Sequence, residues 1–147
     1  MNDAVATYYD FWKNSYLKES QKTAGGYYIE SGGTGGAWKK STISSMHGWG
    51  MIIFSLMAGY DPHAQKYVDG MYKFFLEHPS CENHPLMSWQ VLADESDSSD
   101  YSSAEGDFDI AYALMPAENQ WGNDGDINYL MEARKMIING ANNGVKF

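Results

Sequence analysis

An all-α fold made of helical hairpins is what three features of this sequence predict. Five segments carry apolar residues at spacings of three and four, the period of one helical face. Gly59-Tyr60-Asp61-Pro62 joins two of them, with a glycine past one helix end, an aspartate cap and a proline at the first position of the next. The segments alternate with loops at the interval of stacked helical hairpins. The 147 residues are 44% hydrophobic and 15% aromatic, enough apolar surface for one globular domain over residues 1–147.

Val5, Tyr8, Tyr9, Trp12, Tyr16 and Leu17 predict an amphipathic helix from Asp3 to Glu19. From Thr23 to Thr42 the pairs Gly25-Gly26, Gly32-Gly33 and Gly35-Gly36 cost too much backbone entropy for a helix interior, so this is an aromatic-bearing loop with Trp38. It contains no phosphate-cradling glycine pattern. Ser44-Ser45 offers a cap to a helix that is apolar nearly all round from Gly48 to Ala58 and should be buried. Val68, Met71, Tyr72, Phe75 and Leu76 mark the next helix, ended by His78-Pro79. Residues 80–105 form a long polar connection, broken by a short extended piece or turn at Leu86–Leu92, and Asp94–Asp100 reads as a solvated, mobile turn. A fourth helix runs through Ile110, Ala113, Leu114, Ala117 and Trp121, with Pro116 predicting a bend. After the turn Gly122–Gly125, Ile127 to Ile137 marks a last helix ending near Asn139-Gly140.

The net charge of −9 argues against nucleic acid or an anionic membrane surface as partner, because both require a basic face; a neutral polymer is compatible. No apolar run is long enough to span a membrane, and Met1-Asn2-Asp3 lacks the basic and apolar regions of a signal peptide. Cys81 is the one cysteine, which excludes an internal disulfide. His78 and His84 bracket it, but a loop with two prolines and no second cysteine is a poor zinc site, and no metal or cofactor is expected.

Glu105, Asp107 and Asp109 crowd the entrance of the fourth helix, where they can accept hydrogen bonds from the free N–H groups of its first turn and favour its positive dipole end. On spacing alone a capped helix start with solvated acids is the commoner arrangement, and a site the rarer one. Trp89 is likewise either a core aromatic or a sugar-stacking platform, since a flat apolar face with a polar rim suits both.

Ser103–Trp121, read as Ser-Ala-Glu-Gly-Asp-Phe-Asp-Ile-Ala-Tyr-Ala-Leu-Met-Pro-Ala-Glu-Asn-Gln-Trp, resembles the Asp-Gly-Asp-x-Asp-x-Ala-x-Ala-Leu-x-x-Ala-x-x-x-Trp signature of the family 8 glycoside hydrolases. Gly48-Trp49-Gly50-Met51, Leu86-Met87-Ser88-Trp89-Gln90, Gln120-Trp121-Gly122 and Ile127-Asn128-Tyr129-Leu130 match further segments of that family in the same order. The resemblance implies part of an (α/α)6 barrel, a β-linked polysaccharide as partner, and a secreted or periplasmic location. It makes Trp89 a sugar platform, with Gln90, Trp49, Tyr101 and Asp109 as further binding residues and, more weakly, Trp38. Five helices of the family's twelve leave an inner helix with apolar faces to cover, so a homo-oligomer is expected.

The resemblance also implies an inverting mechanism, with an acid and a base on opposite faces of the sugar. Aligned on the glycines, Ser45 occupies the position of the general-acid glutamate, and a serine hydroxyl cannot deliver a proton near neutral pH. His47 has a suitable intrinsic pKa but points about 200° away along a helix. The family's base lies beyond residue 147. Glu105 stands where the family has an aspartate beside the scissile bond, keeping the charge but moving it outward by about 1.5 Å, one carbon–carbon bond. The catalytic candidates are therefore Glu105 and Asp107. Two functions compete: an endo-acting glucanase recruiting acids from Glu30, Asp107, Asp109 or a second subunit, and a catalytically silent glycan-binding or vestigial relative.

Overall fold

The computed structural model describes residues 2–31, 42–80, 86–97 and 101–143, and the predicted platform Trp38, with Cys81 and His84, lies outside them. Five helices are present among the described residues: α1 (Asp3–Tyr16), α2 (Ser44–Leu56), α3 (Ala64–Glu77), α4 (Ala104–Trp121) and α5 (Tyr129–Asn143). Two pairs of very short antiparallel strands join them, β1 (Leu17–Glu19) with β2 (Tyr27–Ile29) and β3 (Thr42–Ile43) with β4 (Gln90–Val91).

The helices form an arc of two layers. Along α2 and α4, Ser44 lies against Gly106, Gly48 against Asp109 and Ile110, and the Ser55 hydroxyl donates to the Ala113 carbonyl at 3.4 Å. Positions rise together, so the two helices run parallel, side by side. Their outer partners run the other way. His47 of α2 meets Met71 of α3, and Phe108 of α4 meets Gly140 of α5 while Trp121 meets Tyr129, both antiparallel hairpins. The outer helices α3 and α5 are again parallel, tied by the Tyr72 hydroxyl on Glu132 and the Tyr129 hydroxyl on Asp69. Parallel inner helices backed by antiparallel outer ones make part of an (α/α) barrel.

The core follows from the predicted faces. Met51, Phe54, Val68, Met71, Phe74, Ile110, Ala113 and Leu114 are fully buried between the layers. Tyr9 and Trp12 of α1 pack on Phe54. Asp61 fixes α1 to the α2–α3 turn by accepting from the Tyr9 hydroxyl at 2.7 Å and Lys13 Nζ at 2.6 Å. Burial alone would raise this carboxyl, yet hydrogen bonds from Lys13, Tyr9 and the His63 amide hold it below its usual value.

Several boundaries differ from the sequence pattern. The first helix stops at Tyr16, because Leu17–Glu19 pairs with Tyr27–Ile29 inside the glycine-rich loop, where Tyr27 and Ile29 are buried against Gly70 and Gly50. Neither Ser44 nor Ser45 caps α2: the cap residue is Ile43, and the Ser44 amide donates across to the Trp89 carbonyl at 3.0 Å. The α3 cap is His63, with Asp61 accepting from its amide instead. Helix α4 continues through Pro116, whose missing N–H would have faced the carbonyl of Tyr112, an exposed residue that water can satisfy. The stretch read as a solvated turn holds Glu95, which is buried and accepts from the Ser20 hydroxyl and the Gln21 and Lys22 amides. The inner helix α2 is not covered on all sides, since Trp49 and Leu56 are exposed.

The α2–α4 contact depends on two missing side chains. A methyl at Gly106 would lie against the Ser44 hydroxyl and 2.7 Å from the Ser44 carbonyl carbon, and one at Gly48 would lie 2.9 Å from Asp109 and Ile110 backbone atoms. Gly106→Ala is expected to destabilise by about 1–3 kcal/mol, the usual cost of overpacking. Gly59→Ala, with open space around it, serves as the tolerated control. Thermal melts followed by circular dichroism check this; equal melting temperatures for the two variants would contradict the close contact.

Candidate functional site

The parallel run of α2 and α4 brings their N-terminal ends together, and the segment 86–91 closes the third side. Ser44 lies on Gly106, so Ser45 and Glu105 flank the same contact. The Ser44 amide donates to the Trp89 carbonyl, the Trp89 amide to the Tyr101 carbonyl at 2.8 Å, and Ile43 pairs with Gln90. Three of the matched segments, the start of Ser103–Trp121, Gly48–Met51 and Leu86–Gln90, therefore converge at one end of the arc.

Side-chain exposure then divides them. Glu105 is exposed, Ser45 and Asp109 are half-buried, and Asp107 is buried with 4% of its surface accessible. Trp89 is half-buried, Tyr101 and Trp49 are exposed, and Gln90 is buried within β4. Ser45 and Trp49 are four apart on α2 and share its open face. Glu30, one of the possible substitute acids, donates its amide to Tyr16 on the β1–β2 side of the molecule.

Asp107 Oδ1 accepts from the Met87 amide at 2.9 Å. Burial pushes this carboxyl up to about 7, against the opposing pull of the Met87 amide and the nearby Ser102 hydroxyl. Asp109 is also raised, first by burial and then by the negative charge of Glu105. The first turn of α2 carries no acidic residue, so among the described residues the carboxylates at this end of the arc are those of α4.

His47 points away from Ser45. It is fully buried, stacked on Phe74, with Nε2 2.8 Å from the Met71 carbonyl and Nδ1 without a partner among the described residues. Nε2 must carry the proton to donate to that carbonyl. Among the described residues no group of three or more histidine, cysteine or acidic side chains is placed to hold a metal ion, and no helix is long and apolar enough to cross a membrane.

The hairpins make part of an (α/α) barrel in which carboxylates, a hydroxyl and aromatic side chains lie at the N-terminal ends of the inner helices. The family described as glycosyl hydrolases, family 8, matches residues 2–147, and the chain belongs to that family. It is 42% identical to a beta-glucanase of Niallia circulans over 140 residues, covering 95% of this chain and 32% of the relative. It is 43% identical to an endoglucanase of Bacillus sp. (strain KSM-330) over 144 residues, covering 95% of this chain and 31% of the relative. Among solved structures, the apo beta-1,3-1,4-glucanase from Paenibacillus sp. X4 superposes with a TM-score of 0.83 at 40% identity, over 92% of this chain and 34% of that one. The chain thus spans about a third of the length of the relatives it matches.

Two contacts escaped the sequence pattern. Glu95, with a positive φ of 56°, was hidden in an acidic, serine-rich run, and its partners Ser20 and Gln21 are distant in the chain. The hold of Asp107 on Met87 joins residues twenty apart with no periodic signal.

The buried histidine generates a pH prediction. Burial, the largest cause, drives the His47 pKa down from 6.5 to about 4, only partly offset by its bond to Met71. A base with a depressed folded pKa contributes stability that is complete above pH 6.5 and is lost as pH falls toward 4. Relative to His47→Gln, the parent chain should lose about 3 kcal/mol across that window, at about 1.4 kcal/mol per pKa unit. Urea melts of both proteins between the two pH values measure the difference; parallel curves would contradict a neutral buried imidazole.

Proposed function

We propose that this chain binds β-1,4-linked glucan-type oligosaccharides across the N-terminal ends of α2 and α4, and that on its own it hydrolyses them at or below the limit of detection. The observation that carries this reading is Ser45, a hydroxyl on the α2 face opposite Glu105, with Trp89, Trp49 and Tyr101 beside it. Aromatic faces can stack on sugar rings without any acid, whereas removing a general acid typically loses about 100- to 10,000-fold in rate. Glu105 and Asp109 would hydrogen-bond sugar hydroxyls, and Gln90 would support the platform from within β4. The beta-glucanase and endoglucanase relatives support the substrate class. A glucan polymer cannot enter a cell, so the chain would meet it in a secreted or periplasmic setting.

Titration with cellopentaose, followed by tryptophan fluorescence, should give a saturable change at millimolar ligand that Trp89→Ala removes. A reducing-sugar assay on carboxymethyl-cellulose, lichenan, xylan and chitosan should read as blank. Strong hydrolysis by the parent chain, abolished by Asp107→Asn, would establish the competing reading of an active glucanase with a recruited acid.

A second feature favours function as an oligomer. Phe108, Tyr112 and Met115 form an exposed stripe on α4, and at the opposite flank an apolar groove of about 380 Å³ lies between Tyr8 and Trp12 of α1 and Ile53 and Met57 at the end of α2. Contiguous exposed apolar surface of this kind marks an interaction site. A ridge on one edge of an arc and a groove on the other suit a second copy related by a two-fold axis, each ridge entering the other's groove. Light scattering at micromolar concentration should give twice 16.5 kDa, and Tyr112→Glu should return the monomer. A parent peak at the monomer mass would sink this assembly.

A further inference from the structure

Among the acidic side chains of α4, Asp107 differs from its neighbours in kind. Glu105 is exposed and Asp109 half-buried, while Asp107 is buried and spends one oxygen on a backbone amide of another segment. That segment is the one carrying Trp89. Its other anchors are to elements on either side: the Ser88 amide donates to the His78 carbonyl at 2.9 Å, the Trp89 amide to Tyr101, and Gln90 and Val91 pair with β3. None of these bonds ties it directly to α4. The Met87–Asp107 bond does, two residues before Trp89 and in the same helical turn as Glu105.

We infer that Asp107 is a positioning residue: its carboxyl pins the Met87 amide to the first turn of α4 and so sets the distance between the Trp89 platform and the neighbouring carboxylates Glu105 and Asp109. This rests on the glycan-binding reading of Trp89. A sugar ring stacked on an indole presents its hydroxyls at a fixed height around the rim, so a carboxylate reaches them only when platform and helix keep one separation. The neighbouring contact leaves no slack on the helix side, because Gly106 is already seated on Ser44. The ladder of two residue pairs constrains Gln90 and Val91, and a bridge from Met87 to Pro79 fastens the other end of the segment to the chain after α3, which leaves the Asp107 carboxyl as its bond to α4. Burial, which lifts the carboxyl to about 7, means that the neutral isostere asparagine imitates a form the native residue itself populates.

The test compares Asp107→Asn, which keeps an acceptor of the same size, with Asp107→Ala, which removes it. Two readouts are used, below the melting temperature of every variant. Without ligand, amide hydrogen exchange at Met87 and the indole NMR shift of Trp89 report the tether. With cellopentaose, fluorescence titration reports affinity. The alanine variant should lose Met87 protection and shift the Trp89 indole, and its affinity should fall about tenfold or more, the scale of loss expected when site geometry slips by a fraction of an ångström to 1 Å. The asparagine variant should keep both. Loss in both variants alike, or retention of Met87 protection and affinity in the alanine variant, would overturn the inference. If the parent chain binds no glycan, the functional reading fails by itself, and the ligand-free measurements still decide whether Asp107 sets the platform. Should the alanine variant not fold, asparagine decides alone, since loss of Met87 protection there is incompatible with the role.

Discussion

The close parallel approach of α2 and α4 is the constraint on which the remainder of this structure depends. Two helices with full side chains pack about 8–10 Å apart, but here Gly48 and Gly106 bring backbone to backbone, so that absent side chains define the contact. With the inner pair fixed, α3 and α5 have one way to cover the outward faces, as antiparallel partners of α2 and α4. The buried set from Met51 to Leu114 is what they enclose. The N-terminal ends of the inner helices then meet because the contact, which runs along both helices, begins in their first turns with Ser44 on Gly106. A site at that end of the arc is a geometric by-product of the packing.

That geometry separates two roles for acids on one helix. Glu105 is exposed and Asp109 half-buried, and burial, followed by the charge of Glu105, lifts the Asp109 carboxyl beside the positive end of α4. Facing inward, Asp107 exchanges water for one amide and the edge of a hydroxyl, which is too little to keep it fully ionised. Spacing of two residues around a helix entrance is enough to send neighbours to opposite environments. Motif position alone therefore does not say which carboxylate meets a ligand and which braces the wall behind it.

Much of the fold was legible because helical periodicity is a local signal with a global consequence. The faces of α3 and α5 and the turn at Gly59–Pro62 were all written in three- and four-residue spacings. What was not legible depended on partners distant in sequence. Leu17 continues an amphipathic pattern, and only the presence of Tyr27–Ile29 alongside turns it into a strand. Ser44 has the chemistry of a cap, but the Trp89 carbonyl takes its amide and Ile43 takes the cap position. Glu95 looks solvated in its own neighbourhood and is buried by Ser20 and Gln21. At the site, residue types and order could be read from sequence, while the inward turn of Asp107 and the outward turn of Glu105 needed the contact at Gly106.

Ser45 acquires its meaning from this setting. A glutamate there would be a third carboxylate at an end of the arc already holding Glu105 and Asp109, half-buried and beside two like charges. Such an arrangement raises a pKa toward the range useful for general acid catalysis, and it does so by making the folded state less stable. Serine removes the charge and the strain together. In the proposed reading the change is coherent in both directions: a proton donor is absent, and so is the electrostatic cost of holding it, while Trp89, Trp49 and Tyr101 offer aromatic faces that need no proton. The proposed binding without cleavage has a physical basis, because stacking depends on shape and area, and proton transfer on one group at one place.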